Sequence, residues 1–99
     1  MNKWMIYLAS AIAAASAHAQ PSDLQARNLA ASCSACHGTN GAAAPGMVAL
    51  AGYDKASMIK AMADFKSGAR PATLMHQLSK GYSEAQIEAM ANYFAAQKK

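Results

Sequence analysis

Apolar positions recur along this chain at helical spacing and nowhere alternate as a half-buried strand would require. Three stretches carry the pattern. In the first, Ala26, Leu29, Ala30 and Cys33 fall on one face. Ser22 opens "SDLQ" ahead of it, with Gln25 three residues on. That capping box satisfies two of the N–H groups orphaned at a helix start, so the spacing predicts a helix from about Asp23 into the cysteines. In the second, "KASMIKAMADFKS" carries Met58, Ile59, Met62 and Phe65 as its stripe, with Asp54 as cap and Gly68 as stop. In the third, Ile87, Met90, Ala91 and Phe94 recur at i, i+3, i+4 and i+7 behind "SEAQ", a second capping box from Ser83 and Gln86. Between these lie "GTNGAAAPG", which reads as loop, and "VALAG", which predicts one short turn of helix. "GARPAT" breaks the pattern, because Pro71 disfavours helical backbone in the residue before it. "LMHQLSKGY" reads as a short irregular or helical piece. The fold class is all-α, one domain, with three main helices and long ordered loops.

The start of the chain does not belong to that pattern. Lys3 precedes the apolar run "WMIYLASAIAAASA", and Ala17-His18-Ala19 puts small residues around a cleavage point. This reads as a signal peptide over residues 1–19, with the domain over 20–99. The run falls short of the ~20 residues a helix needs to cross a bilayer, so no stable membrane span is expected after cleavage. A domain of the remaining size is marginal on its own core. Its apolar residues are mostly alanine, with Tyr53, Phe65, Tyr82, Tyr93 and Phe94 as the aromatics. A disulfide, metal or bulky apolar cofactor would supply what that core lacks. Nine basic residues against five acidic give a formal net charge of +4. They are scattered and not interleaved with aromatics, which speaks against nucleic-acid binding. They suit a weak steering field for an acidic partner.

The chemistry concentrates in "ASCSACHGTNG", which holds both cysteines of the chain, Cys33 and Cys36, followed at once by His37. A disulfide across two intervening residues would close a tiny loop and constrain little of the unfolded chain. A redox dithiol uses this spacing beside a βαβ pattern, which is missing here. Zinc needs about four ligands in a closed site, and the cysteines and histidines of residues 20–99 are only Cys33, Cys36, His37 and the distant His76. C-x-x-C-H is the spacing of covalent haem attachment: two thiols reach the vinyl groups on one porphyrin edge, and the next residue brings an imidazole to the iron. One covalently attached haem c is therefore expected, bound by Cys33 and Cys36 with His37 as metal ligand. The haem would also be the missing core, and attachment outside the cytoplasm agrees with the leader, which gives a periplasmic location.

For the sixth position on iron, Met58, Met62 and Met90 lie on helix faces and read as core, while Met47 sits too close behind His37. Met75, in the irregular stretch after Pro71, is favoured. Its neighbour His76 is the rival, and a five-coordinate iron open to a small gas or peroxide is the third alternative.

"CSACHGTNG", "AAPGMVALAG", a helix, "RPATLM" and "LSKGYSEAQIEAMANYFAAQ" follow one another across nearly all of residues 20–99. In that order they resemble class I cytochromes c. The resemblance implies a fold wrapped around the haem, with the first and last helices crossing so that Leu29 meets Phe94 or Tyr93. It implies iron held by His37 and Met75, and a proline carbonyl, that of Pro45, accepting the free N–H of the histidine. The family's second proline, near Val48, is absent here. "FKSGARPATLMHQLSKGYSEAQIEAMANYFAAQ" is similar in particular to the cytochrome subunit of flavocytochrome c sulfide dehydrogenase. The resemblance implies an electron carrier cycling Fe(III) and Fe(II) and performing no bond chemistry, with redox proteins as partners. It equally admits a dedicated haem subunit for a sulfide-oxidising flavoprotein.

Overall fold

The computed structural model describes residues 21–99, so the expected leader over 1–19 lies outside the described residues. Helix α1 spans Asp23–Ala31, α2 spans Ser34–His37, α3 spans Lys55–Ser67, α4 spans Met75–Ser79 and α5 spans Glu84–Ala95. A single 3₁₀ turn, Thr39–Gly41, follows α2. There is no strand among the described residues, and the all-α expectation holds.

The helix ends follow local chemistry. Both capping boxes form: the Ser22 hydroxyl accepts from the Gln25 N–H and the Ser83 hydroxyl from the Gln86 N–H, each glutamine reaching back to its cap. Each such cap is worth about 1 kcal/mol. Asp54 accepts the backbone and hydroxyl hydrogens of Ser57 at 2.9 and 2.8 Å, and α3 stops where Gly68 turns left-handed at φ +81°. Two expectations change. The first helix does not run through the cysteines but breaks at Ser32, with Cys33 starting α2. The "VALAG" stretch makes a turn and not a helical one, because its N–H groups are drawn elsewhere: Leu50 and Ala51 both donate to the Gly41 carbonyl, at 2.8 and 2.9 Å.

The hydrogen bonds to Asp54 hold its carboxyl below the ordinary aspartate range, the Ser57 backbone N–H first and its hydroxyl second. A depressed folded pKa stabilises the fold above the unfolded pKa, and that contribution disappears as pH falls through the folded one. The melting temperature is therefore expected to drop as pH is lowered below about 4. Asp54→Asn, which keeps an acceptor without the titrating charge, should flatten that part of the profile. An unchanged acid limb in Asp54→Asn would show that other carboxylates govern it.

The packing is built on α5. Helices α1 and α3 both pack on it, and α4 leans on α3. The core cluster is Ala30, Met58, Ile87, Met90, Ala91 and Phe94, with Leu29 and Tyr93 against it. The expected crossing of first and last helices is thus present, and the Met58 and Met90 stripes are core. Phe94 and Ser79 are the largest fully buried side chains, which shows how little bulk the polypeptide brings to its own interior.

Candidate functional site

The break at Ser32 sets the cysteines on a single tight turn. Cys33 caps α2, half-buried against the core cluster, while Cys36 sits inside α2 and is exposed; both thiols are free. Burial pushes the Cys33 thiol above the ordinary cysteine range; the Ser32 hydroxyl opposes this and the neighbouring Cys36 adds to it. His37 closes α2. Its backbone carbonyl accepts the Ala43 N–H at 2.8 Å, which holds Ala43 in left-handed backbone at φ +79°, a conformation that costs a non-glycine residue on the order of 1 kcal/mol or more.

The His37 ring is oriented from the loop. Its Nδ1 lies 2.7 Å from the Val48 carbonyl oxygen. A carbonyl has no proton to give, so Nδ1–H donates, and in the neutral imidazole it is Nε2 that holds the lone pair. Such outer bonds orient a ligating histidine and raise its basicity. The acceptor expected for this bond, Pro45, is not the one used. Pro45 is exposed, and the chain reverses just after it: Gly46 takes φ +78° and Met47 N–H donates to the Ala44 carbonyl at 3.0 Å. That turn carries Pro45 outward and returns Val48 to the ring.

Met75 is the first residue of α4 and not part of a loop, because the Leu74 carbonyl accepts from Gln77 and Leu78 at 3.0 and 3.1 Å and winds the segment. Met75 is half-buried, unlike Met58 and Met90, which are 7% and 3% exposed. Its neighbour His76 is already engaged: Nε2–H donates to the Arg70 carbonyl at 2.6 Å, and the ring meets Phe65 edge-on with centroids 6.4 Å apart. Among the described residues no three His, Cys, Asp or Glu side chains converge as a metal cluster.

Among the described residues, four of the five large apolar side chains left exposed flank these candidate ligands: Met47 and Val48 by the His37 contact, Leu74 and Leu78 along α4. Large apolar side chains left exposed beside candidate ligands are surface that an apolar group could cover. Sequence reasoning did not find Val48, since its part is played by a backbone carbonyl that any residue carries. Nor did it find Tyr82, whose hydroxyl lies 2.6 Å from that of Ser32 beside the motif.

No family model matches the chain. Over 66 residues it is 36% identical to the cytochrome subunit of sulfide dehydrogenase of Chlorobaculum tepidum, covering 67% of this chain and 60% of the relative. It is 35% identical over 100 residues to cytochrome c4 of Pseudomonas aeruginosa, with 99% of this chain and 50% of the relative covered. Cytochrome c4 of Azotobacter vinelandii is 31% identical over 109 residues, with 99% and 52% covered. The chain spans about half the length of these cytochrome c4 relatives.

Proposed function

The chain is a relative of the c-type cytochromes, and from that premise we propose that residues 20–99 are a periplasmic haem domain that carries electrons between redox proteins. In this reading residues 1–19 are the export leader. Cys33 and Cys36 hold one haem c through thioethers, His37 Nε2 is one axial ligand and the Met75 thioether the other. Bound haem supplies a one-electron Fe(III)/Fe(II) couple, and His/Met ligation raises its potential.

The observation that carries the reading is the His37–Val48 bond, which frees Nε2 for a metal on the residue that follows two free thiols at haem-attachment spacing. The remaining donors fit as well. Met75 is half-buried and its sulfur needs no deprotonation, and His76, its Nε2–H donated to the Arg70 carbonyl, has only Nδ1 left to offer. Leu74, Leu78, Met47 and Val48 are the apolar cover that a porphyrin face would bury. A second reading, that the domain is the dedicated haem subunit of a sulfide-oxidising flavoprotein, is favoured by the likeness to a sulfide dehydrogenase cytochrome subunit. Co-purification of a flavoprotein at physiological salt would select it over a free carrier.

The purified protein should exceed its polypeptide mass by one haem after acid–acetone extraction. The oxidised protein should show the weak near-infrared band of sulfur-to-iron charge transfer. Met75→Ala should abolish that band and Met58→Ala should keep it. A bare polypeptide from cells with working attachment machinery overturns the haem assignment, and a band lost in Met58→Ala but kept in Met75→Ala overturns the ligand.

A further inference from the structure

The segment that carries Met75 packs on α3 but sends no side chain into the apolar core. None of the residues of α4 belongs to the buried core cluster or to the apolar side chains packed on it. What holds it to the rest of the chain is His76, whose Nε2–H donates to the Arg70 carbonyl and whose ring meets Phe65 edge-on; Ser79, fully buried, spends its hydroxyl within α4 on the His76 carbonyl. At the far end of α4 the chain passes through Gly81 to Tyr82. There the Lys66 ammonium donates to the Tyr82 carbonyl and the tyrosine ring packs on the core.

The hydroxyl of Tyr82 reaches across the molecule to Ser32, fifty residues away in sequence, at 2.6 Å. The direction of that bond follows from proton count. Ser32 has one hydroxyl proton, and its oxygen sits 2.7 Å from the Leu29 carbonyl, which can only accept. The Ser32 proton therefore goes to Leu29, and Tyr82 O–H donates to the Ser32 oxygen. Ser32 is the residue at which α1 breaks, immediately before Cys33. The bond thus joins the turn bearing the two thiols and His37 to the exit of the helix bearing Met75.

Resting on the axial-ligand reading above, we infer that Tyr82 is a positioning residue for Met75: its hydroxyl ties α4 to the haem-attachment turn and so holds the thioether in place. The tie acts on ligation more than on folding. Removing the hydroxyl leaves the ring packed against the core, and the α1–α5 and α3–α5 contacts do not involve it. Water can replace the donor at exposed Ser32, so the loss is that of one ordinary hydrogen bond, roughly a threefold change in an equilibrium.

The test uses the haem-loaded protein with Tyr82→Phe, Ser32→Ala and the double variant. The near-infrared sulfur-to-iron band and the far-ultraviolet helical signal are followed together with temperature. In Tyr82→Phe the ratio of methionine-off to methionine-on protein at a given temperature should rise about threefold. The band should then disappear at a lower temperature while the helical midpoint stays in place. Ser32→Ala removes that bond together with its own bond to Leu29, so it should shift the band at least as far, and the double variant should go no further than Ser32→Ala alone. An unchanged band midpoint in Tyr82→Phe overturns the inference, as does a band and helix that fall by equal amounts, or fully additive effects. A wild-type protein with haem but no such band overturns the Met75 assignment itself and this inference with it.

Discussion

A chain with Cys33→Ala and Cys36→Ala together is expected to lose most of its helical circular dichroism and its cooperative melt. The interior formed by the described residues explains why. Its buried apolar residues are Ala26, Ala30, Ala51, Met58, Ala61, Ile87, Met90, Ala91 and Phe94. Alanine predominates, and burying it gains little, because hydrophobic stabilisation scales at about 25 cal/mol per Å² of apolar surface removed from water. The cost of ordering each residue's backbone, roughly 1–2 kcal/mol, is the same for alanine as for leucine. Meanwhile Val48, Leu74 and Leu78 stand 62%, 63% and 51% exposed, apolar surface that a bound porphyrin would turn into core. The substitutions themselves remove only two sulfur atoms, one half-buried and one exposed. A large loss would therefore report the group that the sulfurs hold. Circular dichroism melts of the wild-type holoprotein and the double variant decide it, and a native-like cooperative melt in the variant refutes this account.

Gly41→Ala is expected to destabilise the holoprotein by roughly 2–5 kcal/mol, the sum of overpacking at about 1–3 kcal/mol and left-handed backbone at about 1–2 kcal/mol. Gly41 is buried with φ +74°. A Cβ there would stand 2.8 Å from Leu50 Cβ and 2.9 Å from both the Ala51 nitrogen and Phe94 Cδ1. None of these can retreat easily. Leu50 and Ala51 are tied to the Gly41 carbonyl, and Phe94 is 2% exposed at the centre of the core. The disturbance also reaches the loop that delivers Val48 to His37. Gly46→Ala is the control: its φ is +78°, yet a Cβ there meets nothing within 4 Å, so only the backbone cost of about 1–2 kcal/mol remains. Guanidinium denaturation of the two variants should separate them clearly. Equal midpoints would mean that the close approach at Gly41 relaxes without cost.

Much of this protein was legible one turn at a time. Ser22 with Gln25, Asp54, and Ser83 with Gln86 mark the starts of α1, α3 and α5, and the left-handed Gly68 the end of α3, as the sequence reading placed them. These are interactions over three or four residues, and their geometry follows from the helix itself whatever the rest of the chain does. The stripe of Ile87, Met90, Ala91 and Phe94 named the buried face of α5 for the same reason. The spacing of Cys33, Cys36 and His37 likewise carries its chemistry locally.

What joins distant segments was decided only by the tertiary structure. The partner of His37 Nδ1 is the carbonyl of Val48 and not of Pro45, because the turn at Gly46 determines which backbone oxygen arrives, and a carbonyl leaves no mark in the identity of its residue. Met75 begins a helix, and His76 is taken by Arg70, through contacts among α3, α4 and the segment between them. Tyr82 finds Ser32 across fifty residues through the packing of α5 on α1 and α3, which no local period encodes. Short-range hydrogen bonding and apolar spacing determined the helices and the cysteine turn; the relative placement of those helices decided which polar groups meet around them.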